Sequence, residues 1–163
     1  MKTQTLPDPP VPALLQLKKI LVPTDFSEAS NSAYRYALRF GQQFGAQLHV
    51  VHVSEPILSP QLAGLPPMPT FSEEEHAFAE NKLRVWADSM KTMGVKTRTT
   101  LRNGLAAHEI VEAAKELDTD LIIIATHGYT GWKHFCIGST AERVVRAAPC
   151  PVLVVREKEH QFC

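Results

Sequence analysis

Two stretches of the chain concentrate the residue types that can handle a phosphorylated ligand. The first is "PTDFSEAS" at residues 23–30, where Pro23, Thr24 and Asp25 end an aliphatic run. A carboxylate there could accept hydrogen bonds from the hydroxyls of a sugar. The second is "ATHGYTGWKHFCIGST" at residues 125–140. It follows the run "III" and leads into a helical pattern. A helix start offers unpaired backbone N–H groups that point at any anion placed before them. Gly138 permits close backbone approach, and Ser139 and Thr140 add hydroxyl donors.

Structural roles compete with these. "STAE" at 139–142 has the form of a capping box, with Ser139 as N-cap and Glu142 answering it. Ser27 suits a plain N-cap, and Asp25 suits a turn. The length of the second loop favours function. A strand-to-helix turn needs about 2–6 residues, and this one takes about eleven. The standard nucleotide fingerprints are missing. Lys133 is misplaced for G-x-x-x-x-G-K-S/T, and no G-x-G-x-x-G follows the first aliphatic run.

The elements that must carry these loops alternate two hydrophobic periods. Strands are predicted at 18–23, 46–53, 95–101, 120–126 and 151–156. The fourth, "DLIIIAT", is continuously apolar, as a strand covered on both faces should be. A first helix is read from Ala33, Ala37, Phe40 and Phe44, stopped by Gly45. A second begins near Ser72, with Glu75 completing a capping box. Its face is Ala79, Leu83, Trp86, Met90 and Met93, and Gly94 closes it. A third spans 105–117, facing inward with Ile110, Ala114 and Leu117. A fourth spans 139–148, with Ala141, Val144, Val145 and Ala148 on one face. The order βαβαβαβαβ predicts an α/β domain, an open parallel sheet with helices on both faces. Residues 54–70, rich in Pro, Ser and Gly, are expected to form a surface loop. In an open parallel sheet, ligands bind beyond the carboxyl ends of the strands where the strand order reverses. The two chemical stretches follow the first and fourth strands.

The chain has 163 residues, which suits one domain. The expected division is a loose tail at 1–16, a single domain at 17–157 and a C-terminal tail at 158–163. The 17 basic and 17 acidic side chains balance to zero net charge. A duplex-binding protein usually carries a basic excess, so no nucleic-acid partner is expected. No apolar run approaches the ~20 residues of a membrane-crossing helix, so no membrane partner is expected either. The N-terminal segment, with an Asp and four prolines before Lys18, makes a poor signal peptide. Three dispersed cysteines, Cys136, Cys150 and Cys163, argue against a disulfide framework and favour a cytoplasmic location. His49 and His52 should point to opposite faces of one strand. His127, His134 and Cys136 share a loop, but their spacing fits no standard zinc pattern, so no metal site is expected.

From Lys18 to Arg156 the chain resembles the universal stress proteins. "KKILVPTDFSEAS" looks like their first strand and adjoining loop, and "PCPVLVVR" like their last strand. The nucleotide-binding branch of that family carries Gly-x2-Gly-x9-Gly-Ser/Thr. Here Gly128, nine residues, Gly138 and Ser139 match it, while Ala125 replaces the first glycine. The resemblance implies a five-stranded, Rossmann-like sheet of order 3-2-1-4-5, similar to that of the adenine-nucleotide hydrolases. It implies binding of ATP, or of AMP or ADP, with Mg as an optional companion. Carried over position by position, Pro23 and Thr24 line the pocket. The Val53 backbone meets adenine, and Asp25 with the backbone of Ala125 meets the ribose. Gly128, Gly138, Ser139 and Thr140 hold the phosphates, and His127 orients their loop. The methyl of Ala125 is expected to point toward the ribose. The resemblance further implies a homodimer joined through Val152, Leu153, Val154 and Val155, and a role in stress response or signalling with at most slow ATP hydrolysis. Two other readings stand beside it: a family member that binds no nucleotide and works through protein contacts, and an ATP-using enzyme of the adenylating type. Enzymes of the latter kind usually show a serine-glycine loop after the first strand, and "PTDFSEAS" has no glycine.

Overall fold

A computed structural model describes residues 15–58, 69–126 and 138–156. Five strands form the main sheet: β1 (Lys19–Pro23), β2 (Gln47–Ser54), β5 (Thr97–Asn103), β6 (Leu121–Ala125) and β7 (Val152–Val155). Between β2 and β5 lies a two-residue hairpin, β3 (Ile57–Leu58) antiparallel to β4 (Pro69–Thr70). The helices are α1 (Glu28–Phe44), α2 (Glu73–Thr92), α3 (Ala106–Glu116) and α4 (Ser139–Ala147). The sheet runs β5-β2-β1-β6-β7 with every pairing parallel, the order 3-2-1-4-5 of its strands. The order reverses between β1 and β6, so the two chemical loops leave neighbouring strands at one end of the sheet.

The sheet forms because its central strands are apolar on both sides. Ile20, Leu21 and Val22 of β1, and Ile122 and Ile123 of β6, are fully buried. Burying each such side chain contributes about 1.5–3 kcal/mol. Alternate residues feed two cores. Ile20, Val22, Leu48, Val50 and Ile123 pack with Ala33 and Ala37 of α1 and with Leu83 and Met90 of α2. Leu21, Val51, Ile122 and Ile124 pack with Ile110 and Ala114 of α3 and with Ala141 and Val144 of α4.

Most element ends differ from their expected positions by one or two residues. Ser27 and Ser72 are the N-caps of α1 and α2, each accepting a backbone N–H three residues on. Gly45 ends α1 in the left-handed region at φ 65°, and Gly94 follows the C-cap Met93 of α2 at φ 79°. The last members of two expected apolar faces lie outside the core. Phe44, the last residue of α1, is 38% exposed, and Met93, the C-cap of α2, is 47% exposed. Gly41 takes the inward place between Ala37 and Phe44. A β-carbon there would meet Val95 Cγ1 at 2.8 Å, so the missing side chain lets α1 lie close to the sheet. The surface loop expected over 54–70 contains the β3–β4 ladder, and its residues 59–68 are outside the described set.

Candidate functional site

At the end of β1 the chain turns sharply into α1. Thr24 N–H donates to the carbonyl of Val51 at 2.9 Å and prolongs the β1–β2 pairing by one residue. The Thr24 side chain is buried. Its hydroxyl donates to Ser30 Oγ at 3.1 Å and accepts the N–H of Phe26 at 2.9 Å. Asp25 Oδ1 accepts the N–H of Ser27 at 3.0 Å, so the turn role is realised. Ser27 Oγ then caps α1 by accepting Ser30 N–H at 3.2 Å. Between Asp25 and Ser27, Phe26 holds φ 62°. A non-glycine residue in the left-handed region carries about 1–3 kcal/mol of strain. The surroundings that hold it there are aromatic. Phe26 stacks on His52 with ring centroids 4.6 Å apart and meets Phe78 and Trp86 edge-on at 6.2 and 5.9 Å. His52 Nδ1 bonds the carbonyl of Thr24 at 2.8 Å.

The two strand histidines do face opposite ways. His52 lies on the α1–α2 side with Phe26, whereas His49 bonds Thr100 Oγ1 of β5 through Nε2 at 2.6 Å. Burial lowers the His49 pKa, and the nearby Arg98 and Arg102 lower it further. Both effects penalise the imidazolium. Val53, half-buried near the end of β2, sits opposite Arg102 and packs toward the α3–α4 core. Just beyond it, Glu55 Oε1 accepts the N–H of Ala106 at 2.9 Å, the first residue of α3. The N-cap residue there, Leu105, has no capping side chain, so Glu55 supplies the acceptor from another element. Gly104, with φ 147°, leaves room for the Glu109 side chain, which would lie 3.0 Å from an added β-carbon. Glu109 pairs with Arg102 at 3.3 Å, and Arg102 also pairs with Glu116.

The start of α4 is built differently. Ser139 is not its N-cap: that place belongs to Gly138, and Ser139 is the first helical residue. The expected capping box is not formed, because the N-cap is Gly138, whose carbonyl accepts the first helical bond, from Glu142 N–H at 2.9 Å. Among the described residues no side chain caps this end. Gly138 N–H is itself committed to the carbonyl of Thr126 at 2.6 Å, which ties the start of α4 to the end of β6. The N–H groups of Ser139, Thr140 and Ala141 come before the first helical bond of α4 and carry the positive end of its dipole. Ser139 is exposed and Thr140 half-buried.

Ala125 is only 9% exposed and belongs to the core with Ile123, Ala33 and Val155, so its methyl lies on the α1 side of the sheet. Among the expected site residues, Pro23 ends β1 and Thr24 and Asp25 follow it, Val53 is near the end of β2, and Ala125 ends β6. Gly138, Ser139 and Thr140 start α4. His127 and Gly128 lie outside the described residues, as do Trp132, Lys133, His134, Phe135 and Cys136. Phe26, His52 and Glu55 carried no spacing signal. Their roles depend on neighbours far along the chain. Among the described residues no cluster of three His, Cys, Asp or Glu side chains could hold a metal. Also among them, no helix is long and apolar enough to cross a membrane.

A model of the universal stress protein family matches residues 16–156. Universal stress protein MJ0531 of Methanocaldococcus jannaschii is 36% identical over 150 residues, covering 88% of this chain and 85% of that protein. The structure of universal stress protein UspA from Lactobacillus plantarum superposes with a TM-score of 0.76 at 26% identity, covering 88% of this chain and all of that one (100%). Two further structures share the fold. A universal stress protein in complex with cAMP has a TM-score of 0.66 at 22% identity, covering 86% of this chain and 98% of that one. The universal stress protein from Archaeoglobus fulgidus in complex with dAMP has a TM-score of 0.61 at 19% identity, with the same two coverages of 86% and 98%.

Proposed function

The chain belongs to the universal stress protein family, and from that premise we propose that it binds an adenine nucleotide at the carboxyl end of its sheet. One observation carries the reading. The start of α4 has a glycine N-cap with no capping side chain, and it is tied to the end of β6, next to β1 and Asp25. An anion-binding helix start and a carboxylate in the turn after the adjacent strand suit the two polar parts of a nucleotide. Two proteins of this fold hold cAMP and dAMP. In the proposal the ligand is ATP, AMP or ADP, with Mg bound through its phosphates. The Val53 backbone meets adenine, Asp25 and the backbone of Ala125 the ribose, and Gly138, Ser139 and Thr140, with His127 and Gly128, the phosphates.

Fast phosphoryl transfer needs metal ligands, a positioned nucleophile and cationic charge on the transferring group. The described residues here present Asp25, already engaged in its turn, and no such assembly. The proposed role is therefore nucleotide binding in stress response or signalling, in the cytoplasm, with hydrolysis slow at most. The chain would act as a homodimer through Val152, Leu153, Val154 and Val155, whose strand is an edge of the sheet among the described residues. An unpaired edge of such apolar residues is a template for another chain.

Denaturing the purified protein and identifying released nucleotide by mass spectrometry tests the reading. Thermal melts with ATP, ADP and AMP complete it. Ligand at 100 times its Kd adds about 2.7 kcal/mol, a rise in Tm of ~5–10 °C for a domain of this size. No released nucleotide and no rise with any of the three would refute nucleotide binding.

A further inference from the structure

Phe26 occupies a backbone conformation that a bulky aromatic residue rarely takes, at φ 62°. Such strain persists only where the surroundings over-determine it. Here they do so from three elements. The ring is stacked on His52 of β2 and met edge-on by Phe78 and Trp86 of α2. Trp86 is in turn packed on Tyr34 of α1, with ring centroids 4.5 Å apart. The backbone on both sides of Asp25 is fixed by the same group of residues. The carbonyl of Thr24 is bonded by His52 Nδ1 at 2.8 Å, and the N–H of Phe26 donates to Thr24 Oγ1 at 2.9 Å. Core packing alone does not call for this arrangement, since a leucine or phenylalanine with ordinary φ fills apolar space without strain. What the strained turn adds is a fixed direction for the residue before it.

We propose that Phe26 is a positioning residue, clamped by His52, Phe78 and Trp86 so that the turn presents Asp25 to the sugar hydroxyls of a bound nucleotide. The inference rests on the nucleotide reading above and adds to it the residues that aim the sugar-binding carboxylate. The ring touches no ligand itself. It acts through the backbone of residues 24–26. Phe78, 56% exposed, is the outermost member of the clamp and can be truncated with little consequence for the fold.

The test compares ATP with 2′,3′-dideoxy-ATP, which lacks both sugar hydroxyls, by calorimetric titration of the full chain. Phe26→Ala is expected to weaken ATP about tenfold, the equivalent of one charge-assisted hydrogen bond, and to leave dideoxy-ATP within about twofold. Phe26→Tyr, which keeps the stacking ring, is expected to restore ATP affinity. Phe78→Ala is expected to show the same selectivity at about threefold, and it carries the test should Phe26→Ala fail to fold. Equal weakening of the two nucleotides, or no change in either, would overturn the positioning role. Failure of the wild-type protein to bind ATP would instead overturn the nucleotide reading, and this inference with it.

Discussion

The starts of α3 and α4 lie on the same side of the sheet and at the same end, yet they are finished in opposite ways. At α3 the N-cap is Leu105, and the orphan N–H of Ala106 is taken by Glu55 from beyond β2. At α4 the N-cap is Gly138, and among the described residues no side chain caps the positive end of the dipole. A carboxylate at α3 satisfies the helix and repels any second anion. A glycine at α4 leaves room for one. The difference shows that an anion site is made as much by withholding a cap as by supplying donors. Under the proposed function, it makes the start of α4 the better place of the two for a phosphate.

Both helices rest on one core, so the largest effect should remove them together. Ile122 is fully buried between the sheet and α3 and α4. Ile122→Ala is expected to destabilise the domain by about 2–5 kcal/mol in urea unfolding. A loss confined to one helix, seen by hydrogen exchange, would show that the two starts do not share a foundation. Next in size is Glu55→Ala, which leaves α3 without its borrowed acceptor. It should lower stability by about 0.5–2 kcal/mol and leave ATP affinity unchanged within about twofold. A tenfold fall in ATP affinity would break the comparison by placing α3 in the binding site.

The smallest effect concerns His49, on the α3 side of the sheet. Its pKa in the folded protein lies below the ordinary 6.5, through burial and then through Arg98 and Arg102. The folded state therefore resists a proton that the unfolded chain accepts. Stability is fully present above pH 6.5 and falls as the pH drops from 6.5 toward the lower folded value. His49→Gln should flatten that part of the stability–pH curve. An identical slope in the variant would show that His49 is not its source.

The sheet and its helices were legible because apolar periodicity is a local property. "DLIIIAT" and "KKILVP" announced buried parallel strands, and Ala33 and Ala37 announced the inner face of α1. The strand order was not in the periodicity. It entered through the family resemblance and was then found in the pairings. Errors arose where one residue decides between two local solutions. "GST" followed by Ala-Glu supports a cap at either Gly138 or Ser139, and the bond from Gly138 to Thr126, just beyond β6, selects the glycine. The packing of the Ala125 methyl was not legible, because the pleat at the end of β6, which spacing alone does not fix, sets it on the α1 side of the sheet. The clamp around Phe26 was hidden for another reason. It joins residues 26, 52, 78 and 86, which only the folded sheet brings together.

The start of α4 is the centre of the proposed site. Gly138 has φ −58° and ψ 150°, a conformation open to any residue, so Gly138→Val adds bulk without backbone strain. Calorimetric titration of ATP into the wild-type and Gly138→Val proteins, with their unliganded melting temperatures matched, tests it directly. The expected result is binding by the wild type and a loss of at least about tenfold in the variant, roughly 1.4 kcal/mol or more. Equal ATP affinity in the two proteins would contradict a phosphate site at the start of α4.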